Sequence, residues 1–398
     1  MLLVAAPFSF KSTLNILFVT SNYPSQAQPY RGTFVREFVW AMARQGHQCD
    51  LVAPTSIFSI RYGAYPGRLD VEQAGHASSV CVHRPLYVSY SSRDLGVVHT
   101  GAMTNLSFQR TAIRAARFVQ DGPSLVYGHF LYPSGRTAVK LGERLRIPCV
   151  LGVGEGTFWT VEPVGFDRAK RDFRKVTGVL AVSSLIKRRL IDELDIPPDK
   201  IRVFPNGVDL GRFRQAPRHQ VRERYGVRNN TIAVAYVGGF KSEKGVSVLD
   251  DAVRGLDGIA ALFVGSGSCV PTSPNIVFRQ ALPHADIPGV LSAADVFVMP
   301  SLAEGSCNAV IEAMACGLPI VTSNGRYMDD IVDDEVAIRV DPTDVRAIRE
   351  AILLLKNDPV LRRRMSEACL KKARQFDIND RARRVTAWME ELVQRYHS

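Results

Sequence analysis

The sequence has no paired-cysteine pattern. Its seven cysteines, at positions 49, 81, 149, 269, 307, 316 and 369, contain no CxxC and are odd in number. Both features argue against a disulfide framework, and a reducing, cytoplasmic setting is expected. No apolar run approaches the roughly 18 residues that a membrane-spanning helix requires. The opening segment Met1-Leu2-Leu3-Val4-Ala5-Ala6-Pro7-Phe8 is apolar but short, has no basic region and contains Pro7, so it makes a poor export signal. Residues 1–13 read as a disordered leader. Asp-x-Asp is absent, and the histidines at 47, 76, 83, 99, 219, 284 and 397 show no metal-ligand spacing, so neither a metal nor another cofactor is expected. Acid is in short supply: 50 Lys and Arg stand against 39 Asp and Glu, a net charge of +11. Such a surplus suggests an anionic partner, whether nucleic acid, a phospholipid surface or a phosphorylated small molecule.

What is present is strand and helix in alternation, the signature of parallel-sheet α/β domains. With 398 residues there is room for two or three domains, and 46% hydrophobic residues place the chain among ordinary globular proteins. The first stretch opens with a strand over 14–20 and a polar loop through Pro24 and Arg31-Gly32. A helix over 33–45 follows, with Phe34, Val35, Phe38 and Met42 on one face and Gly46 to stop it. Further strands are expected at 49–53, 124–127, 148–153, 179–182 and 201–204. Turn residues Pro205-Asn206-Gly207-Val208-Asp209 and the arginine-rich stretch 212–228 mark a linker. A second alternation begins with a strand at 232–237 and continues through strands at 259–264, 276–279, 295–299 and 318–322. Its helices fall near 286–293 and 307–316. Beyond Asp341 the chain reads as helices, the last carrying an apolar stripe of Val385, Trp388, Met389, Leu392 and Val393 that must pack on something.

In open α/β sheets, ligands bind in the loops at the carboxyl ends of strands. After the strand at 295–299 comes Pro300-Ser301-Leu302-Ala303-Glu304-Gly305-Ser306-Cys307-Asn308-Ala309, a small-residue turn into a helix. The backbone N–H groups near Asn308 and Ala309 form an anion site favoured by the helix dipole. Glu304 and Glu312 flank that site; they repel phosphate and suit the vicinal hydroxyls of a sugar or ribose, although a dipole-favoured Glu304 and a solvated Glu312 would look the same in isolation. A second loop, Gly238-Gly239-Phe240-Lys241-Ser242-Glu243-Lys244-Gly245, offers Lys241 and Lys244 to an anion without matching the Walker pattern. Phe263-Val264-Gly265-Ser266-Gly267-Ser268 lacks the third glycine of a dinucleotide fingerprint. In the first stretch, His129 should stand at a strand's carboxyl end as a hydrogen-bonding imidazole or a buried structural one, and Gly152-Val153-Gly154-Glu155-Gly156 should hold Glu155 in a ligand-facing loop.

From about Leu14 to the C-terminus these residues resemble the retaining glycosyltransferases of family 4. The most specific match is E-x7-E, Glu304 to Glu312, in its Pro-Ser…Glu-Gly…Glu-Ala-Met-Ala-x-Gly-x-Pro setting; Pro205-Asn206-Gly207-Val208-Asp209, Lys244-Gly245 and the Gly32 loop support it. The wording around Gly128-His129 and Gly154-Glu155-Gly156 is similar to that of bacterial enzymes of cell-surface polysaccharide synthesis, the teichuronic-acid type among them. The resemblance implies a GT-B fold: two Rossmann-like domains, 14–208 for the acceptor and 209–377 for the nucleotide sugar, facing across a cleft. A crossover helix at 378–398 would pack back on the first.

The resemblance also implies roles. Glu304 would meet hydroxyls of the transferred sugar and Glu312 the ribose. Lys244, with Asn308 and Ala309, would neutralise the diphosphate. His129 would approach sugar and phosphate, and the Gly32 loop would close over them. Gly238 and Gly305 belong to the same substrate-binding loops. Transfer would proceed with retention and no protein nucleophile, the leaving phosphate taking the acceptor's proton. The donor would be a uridine diphosphate sugar and the acceptor a glycan or polyprenyl-diphosphate-linked glycan. Two positions depart from the family pattern: Gly239 stands where arginine is usual, which turns attention to Lys241, and Gln280 replaces a glycine beside Arg279 near the expected base.

Arg110, Arg114 and Arg117, and the cluster Arg168, Lys170, Arg171, Arg174 and Lys175, are candidates for a basic face toward anionic lipid, giving a cytoplasmic protein peripheral to the membrane; a solvated face fits the same residues. Two competing readings are a nucleotide-sugar epimerase of the same fold and a nucleic-acid-binding protein, the latter suggested by charge alone and lacking any recognition motif.

Overall fold

The computed structural model describes residues 13–25, 28–58, 68–75, 78–90, 100–119 and 122–398. The expected leader, all but its last residue, lies outside the described residues. The first unit contributes β1 (Asn15–Thr20), β2 (Gln48–Val52), β3 (Thr55–Ser56), β4 (Leu69–Gly75), β5 (Ser78–His83), β6 (Leu86–Tyr87), β7 (Leu125–His129), β8 (Cys149–Val153), β9 (Gly178–Ala181) and β10 (Ile201–Val203). Its helices are α1 (Thr33–Arg44), α2 (Thr100–Ala115), α3 (Arg136–Leu145), α4 (Phe166–Phe173) and α5 (Ser184–Leu194). Eight strands form one sheet in the order β10-β9-β8-β7-β1-β2-β5-β4, and β3 pairs with β6. The central strands β7, β8 and β9 are buried at every residue, which is why they read as unbroken apolar runs.

The second unit adds α6 (Arg218–Arg224), β11 (Ile232–Val237), α7 (Val246–Val253), β12 (Ile259–Val264), β13 (Ile276–Gln280), α8 (Ile287–Ala293), β14 (Val296–Met299), α9 (Asn308–Ala315), β15 (Ile320–Ser323) and β16 (Ala337–Val340). The helices α10 (Val345–Asn357), α11 (Pro359–Ala373) and α12 (Ile378–His397) complete the chain. The sheet order is β13-β12-β11-β14-β15-β16, parallel throughout. Strand order reverses between β7 and β1 in one sheet and between β11 and β14 in the other. Those are the crevices where open α/β sheets take ligands.

Each unit has its own core. One core runs from Leu14 to Phe204 and resumes with Ile378, Ala382, Val385, Trp388, Met389 and Leu392 of α12; the other runs from Val208 to Phe376. The amphipathic last helix thus packs on the first unit, as the stripe required. The chain crosses between units twice, and the crossings lie side by side: Val208 N–H donates to Phe376 O at 2.8 Å and Ile378 N–H to Val208 O at 2.9 Å. Among the described residues, no helix is long and apolar enough to cross a membrane.

Several features differ from the expectation, which also lacked the strands β3, β6 and β16. The antiparallel pair β4 and β5 at the sheet edge was absent from it, because β4 alternates exposed and half-buried residues and offers no buried run. The stretch 212–228, expected as polar linker, contains α6, and three of its arginines are paired with carboxylates. Arg222, buried, bonds Asp295 Oδ2 at 3.0 Å, Arg218 pairs with the same carboxylate, and Arg212 reaches Glu37 at 3.0 Å.

Candidate functional site

The two crevices face each other across a cavity of about 320 Å³. From the first unit it is lined by Asn22, Phe34, His129, Phe130, Gly154 and Val182; from the second by Val237, Gly238, Lys244, Met299 and the run Glu304 to Ala309; Asn206 comes from the crossing segment. The units touch where Gly305 meets Gly154, and a Cβ at Gly305 would collide with the Gly154 carbonyl. Glycine is required there by proximity, since the position lets two backbones approach.

On the second unit's side, Lys244 Nζ lies 2.7 Å from Glu304 Oε1. Burial alone would lower the Lys244 pKa, but the Glu304 carboxylate, joined by Cys307 and Glu243, outweighs it and holds the ammonium above its usual range. The lysine is a fixed cation. Helix α9 begins at Asn308 behind Cys307, and no side chain caps it, which leaves its first N–H groups to an anion. Asn206 braces this loop, accepting nothing from it but donating backbone N–H to Ser306 Oγ at 3.2 Å and Nδ2 to Asn308 Oδ1 at 2.8 Å. Arg381 of α12 in turn donates to Pro205 O at 2.6 Å, so the final helix fixes the segment that carries Asn206.

On the first unit's side, His129 ends β7 and is buried, and its Nε2 has no hydrogen-bond partner. Burial, with Arg381 as a second cause, pushes the imidazole down to about 3, so it is neutral at physiological pH. Tyr127 Oη lies 3.4 Å from Nδ1. With that hydroxyl donating to Nδ1, the ring proton sits on Nε2, a donor for whatever enters the cavity. Phe130 follows at φ 70, a rare conformation for an aromatic residue, and its N–H donates to Gly152 O at 2.8 Å.

Glu155 is a correction. Expected to face a ligand, its carboxylate turns inward and accepts from Leu131 N at 2.8 Å and Gly154 N at 3.3 Å. Burial pushes its pKa up to about 7 against the pull of those N–H groups. It shapes the loop that carries Phe130 and does not line the cavity.

Lys241 and Arg279 also lie outside the cavity lining. Lys241 is exposed beside Glu243 at 3.7 Å, and Arg279 donates to the Pro271 carbonyl. Gly32 starts α1 at φ 70, pressed against the Asn22 carbonyl, so it supports the wall that Asn22 presents. Glu312 sits one turn along α9 from Asn308, outside the lining, with Oε1 held by His284 Nε2 at 2.7 Å. Asn206, Asn22 and His284 were missed as site residues. Asn206 had been read as a turn, and His284 had no ligand-like spacing to mark it.

The comparisons with known proteins bear on this cleft. Residues 32–212 match the model described as Glycosyltransferase Family 4, and residues 217–372 the model described as Glycosyl transferases group 1. This chain is a glycosyltransferase, with a family 4 domain followed by a group 1 domain. It is similar over 385 residues, at 26% identity, to the putative teichuronic acid biosynthesis glycosyltransferase TuaC of Bacillus subtilis, covering 93% of this chain and 96% of the relative. A second relative is the UDP-Gal:alpha-D-GlcNAc-diphosphoundecaprenol alpha-1,3-galactosyltransferase of Escherichia coli, 29% identical over 60% of this chain and 67% of its own. Among solved structures, sucrose-phosphate synthase from Thermosynechococcus elongatus superposes with a TM-score of 0.75 at 18% identity, covering 95% of this chain and 99% of that one. HepE of Anabaena in complex with UDP gives 0.72 at 15% identity, covering 95% and 100%. The fold of this glycosyltransferase is GT-B, and the Bacillus and Escherichia relatives carry names of polysaccharide and lipid-linked glycan synthesis.

Proposed function

We propose that this glycosyltransferase moves a hexose from a uridine diphosphate sugar to a lipid-linked glycan acceptor, with retention, during assembly of a surface polysaccharide. The observation that carries the reading is the Lys244–Glu304 pair at the uncapped start of α9, on the wall of a cavity between two switch-point crevices. A cation and free N–H groups beside a carboxylate suit a diphosphate next to sugar hydroxyls. The diphosphate competes with Glu304 for Lys244 and releases the carboxylate to accept from the sugar. His129 then donates from the opposite wall. The bond between the sugar's anomeric carbon and the diphosphate oxygen breaks, the acceptor oxygen bonds that carbon on the same face, and its proton passes to the departing phosphate. Positioned donors of this kind each contribute about 10²–10³ in rate.

Uridine is supported by the HepE complex with UDP and by the UDP-Gal donor in the E. coli relative's name, while a mycobacterial relative named as GDP-mannose-dependent makes guanosine the competing outcome. The lipid-linked acceptor is supported by the diphosphoundecaprenol in the E. coli relative's name. It also draws on a groove of about 440 Å³ on the first unit, lined in part by Leu106, Tyr132, Arg136, Trp159 and Arg168. Exposed Arg110 and Arg114 stand on α2, which forms one side of it, and exposed Arg117 on the short turn that follows the helix. Asp172 pairs with both Arg136 and Arg168 inside the groove, so the positive charge offered to an anionic amphiphile is that of the flanking Arg110, Arg114 and Arg117.

Incubating the enzyme with radiolabelled UDP-hexose and a polyprenyl-diphosphate glycan tests the reading. Label appearing in the lipid fraction with retained anomeric configuration is expected; an inverted product, or conversion of the nucleotide sugar without acceptor, overturns it. Co-sedimentation with anionic but not neutral vesicles is expected for the membrane face, and equal binding to both removes it.

A further inference from the structure

The side chains around Glu312 form a chain that begins on the other unit. Glu37, buried on α1, receives Arg212 Nη1 at 3.0 Å. Arg212 Nη2 lies 3.1 Å from His284 Nδ1, and His284 Nε2 lies 2.7 Å from Glu312 Oε1. The imidazole is further held by Phe213, whose ring centroid is 5.3 Å away, while the Arg212 guanidinium sits 5.1 Å over the same Phe213 ring. Four residues from α1, the crossing segment, the turn before α8 and α9 are thus joined in one line.

The chemistry of the line fixes the histidine's tautomer. Arginine has only donors, so a contact with Nδ1 is a hydrogen bond only when Nδ1 has a lone pair. The ring proton then sits on Nε2 and is donated to Glu312. The opposite tautomer would set two donors against each other at Arg212 and two acceptors at Glu312. Glu312 keeps lone pairs on both oxygens, with one oxygen pinned, and a carboxylate held in this way presents a fixed two-point acceptor to a vicinal diol.

We infer that His284 is a positioning residue for Glu312 and sets the enzyme's preference for a nucleotide with an intact ribose, with its tautomer fixed through Arg212 and Glu37 of the first unit. The inference rests on the reading of Glu312 as the ribose-binding carboxylate. A purely structural His284 would affect every nucleotide alike; a positioning one affects only those with ribose hydroxyls.

The experiment compares dissociation constants for UDP and 2′,3′-dideoxyuridine diphosphate by calorimetry, with the guanosine pair run alongside in case the base differs. Wild-type protein, H284A, H284Q and R212Q are measured. The wild type is expected to prefer the ribose form by at least about tenfold, since one charge-assisted hydrogen bond is worth that much. In H284A the preference falls to within about twofold while affinity for the dideoxy form is unchanged. H284Q, which still offers an N–H toward Glu312, recovers most of it, and R212Q lies between. If H284A retains the wild-type preference, or loses affinity for both forms equally, His284 does not position Glu312 and the inference fails while the ribose reading stands. A wild type without preference, or without affinity for either base, overturns the reading of Glu312 and the inference with it.

Discussion

The two walls of the cavity are built on opposite electrostatic plans. The second unit's wall is ionic: Lys244 is held charged by Glu304, and α9 opens without a cap. The first unit's wall is neutral: His129 is buried and uncharged, Phe34 and Phe130 are aromatic, and Glu155 has been drawn away into its own backbone. The contrast shows how labour is divided. Under the proposed function, one wall would meet the charged diphosphate and the other would shape the space for the sugar. A mutation that makes the walls alike should therefore do more harm than one that weakens either in kind.

Neutralising the ionic wall has the largest expected effect. Lys244→Ala and Glu304→Ala each lower transfer by about 10²–10³, the cost of one lost electrostatic contact in a preorganised site, while far-UV circular dichroism stays unchanged. Turnover within a few-fold of wild type in either variant removes these residues from the chemistry. Next comes the join between walls. Gly305→Ala drives a Cβ into the Gly154 carbonyl and spreads the cavity, so kcat/KM should fall by about 10²; unchanged steady-state kinetics would mean the contact is not kept in solution.

On the neutral wall the expected effects are smaller and have a pH signature. The His129 imidazole stays neutral down to about pH 3, so it adds no ionisation to the kcat/KM profile between pH 5 and 8. His129→Gln should lower the rate roughly tenfold without changing the profile's shape, if one neutral hydrogen bond is what is lost. A limb that vanishes from the profile in the variant would show His129 working as an acid or base. Glu155 titrates instead through stability. Its carboxyl is raised from 4.5 to about 7 in the fold. Between those values the folded protein holds a proton that the unfolded chain has released, so its contribution is full below about pH 4.5 and lost as pH rises through 7. Glu155→Gln should flatten that decline, as read from urea unfolding at pH 5 and 8; equal slopes in both proteins contradict the assignment.

These differences also explain what could be read beforehand. The buried strands, the switch-point loops and the Glu304-to-Glu312 spacing were legible, because each is local: apolar runs of fixed length, or two carboxylates on one turn and helix. Which partner a charged residue would choose was not. Lys244 finds Glu304 sixty residues away, Arg212 finds Glu37 and His284, and Arg218 and Arg222 both close on Asp295. Three of the linker's arginines, expected only as part of a polar linker, are thus paired with carboxylates of the folded units. Glu155 misled for the same reason: its glycine-rich setting was visible, but the shorter of the two N–H contacts that capture it comes from Leu131, in another loop. The edge strand β4 was hidden by its half-exposed pattern.

The least effect is expected where the charge does remain outside. Replacing Arg110, Arg114 and Arg117 together by Gln should leave stability within about 0.5 kcal/mol per site, as for surface positions generally, and should reduce binding to anionic vesicles alone.

The central claim is that the ionic wall binds a nucleotide diphosphate sugar through Lys244. Thermal unfolding of wild type and Lys244→Ala against a panel of uridine, guanosine and adenosine diphosphate sugars tests it most directly. One sugar nucleotide should raise the wild-type transition, by about 2.7 kcal/mol of added stability at a hundred times its Kd, and lose most of that effect in the variant. A flat panel for the wild type, or an equal rise in the variant, would contradict it.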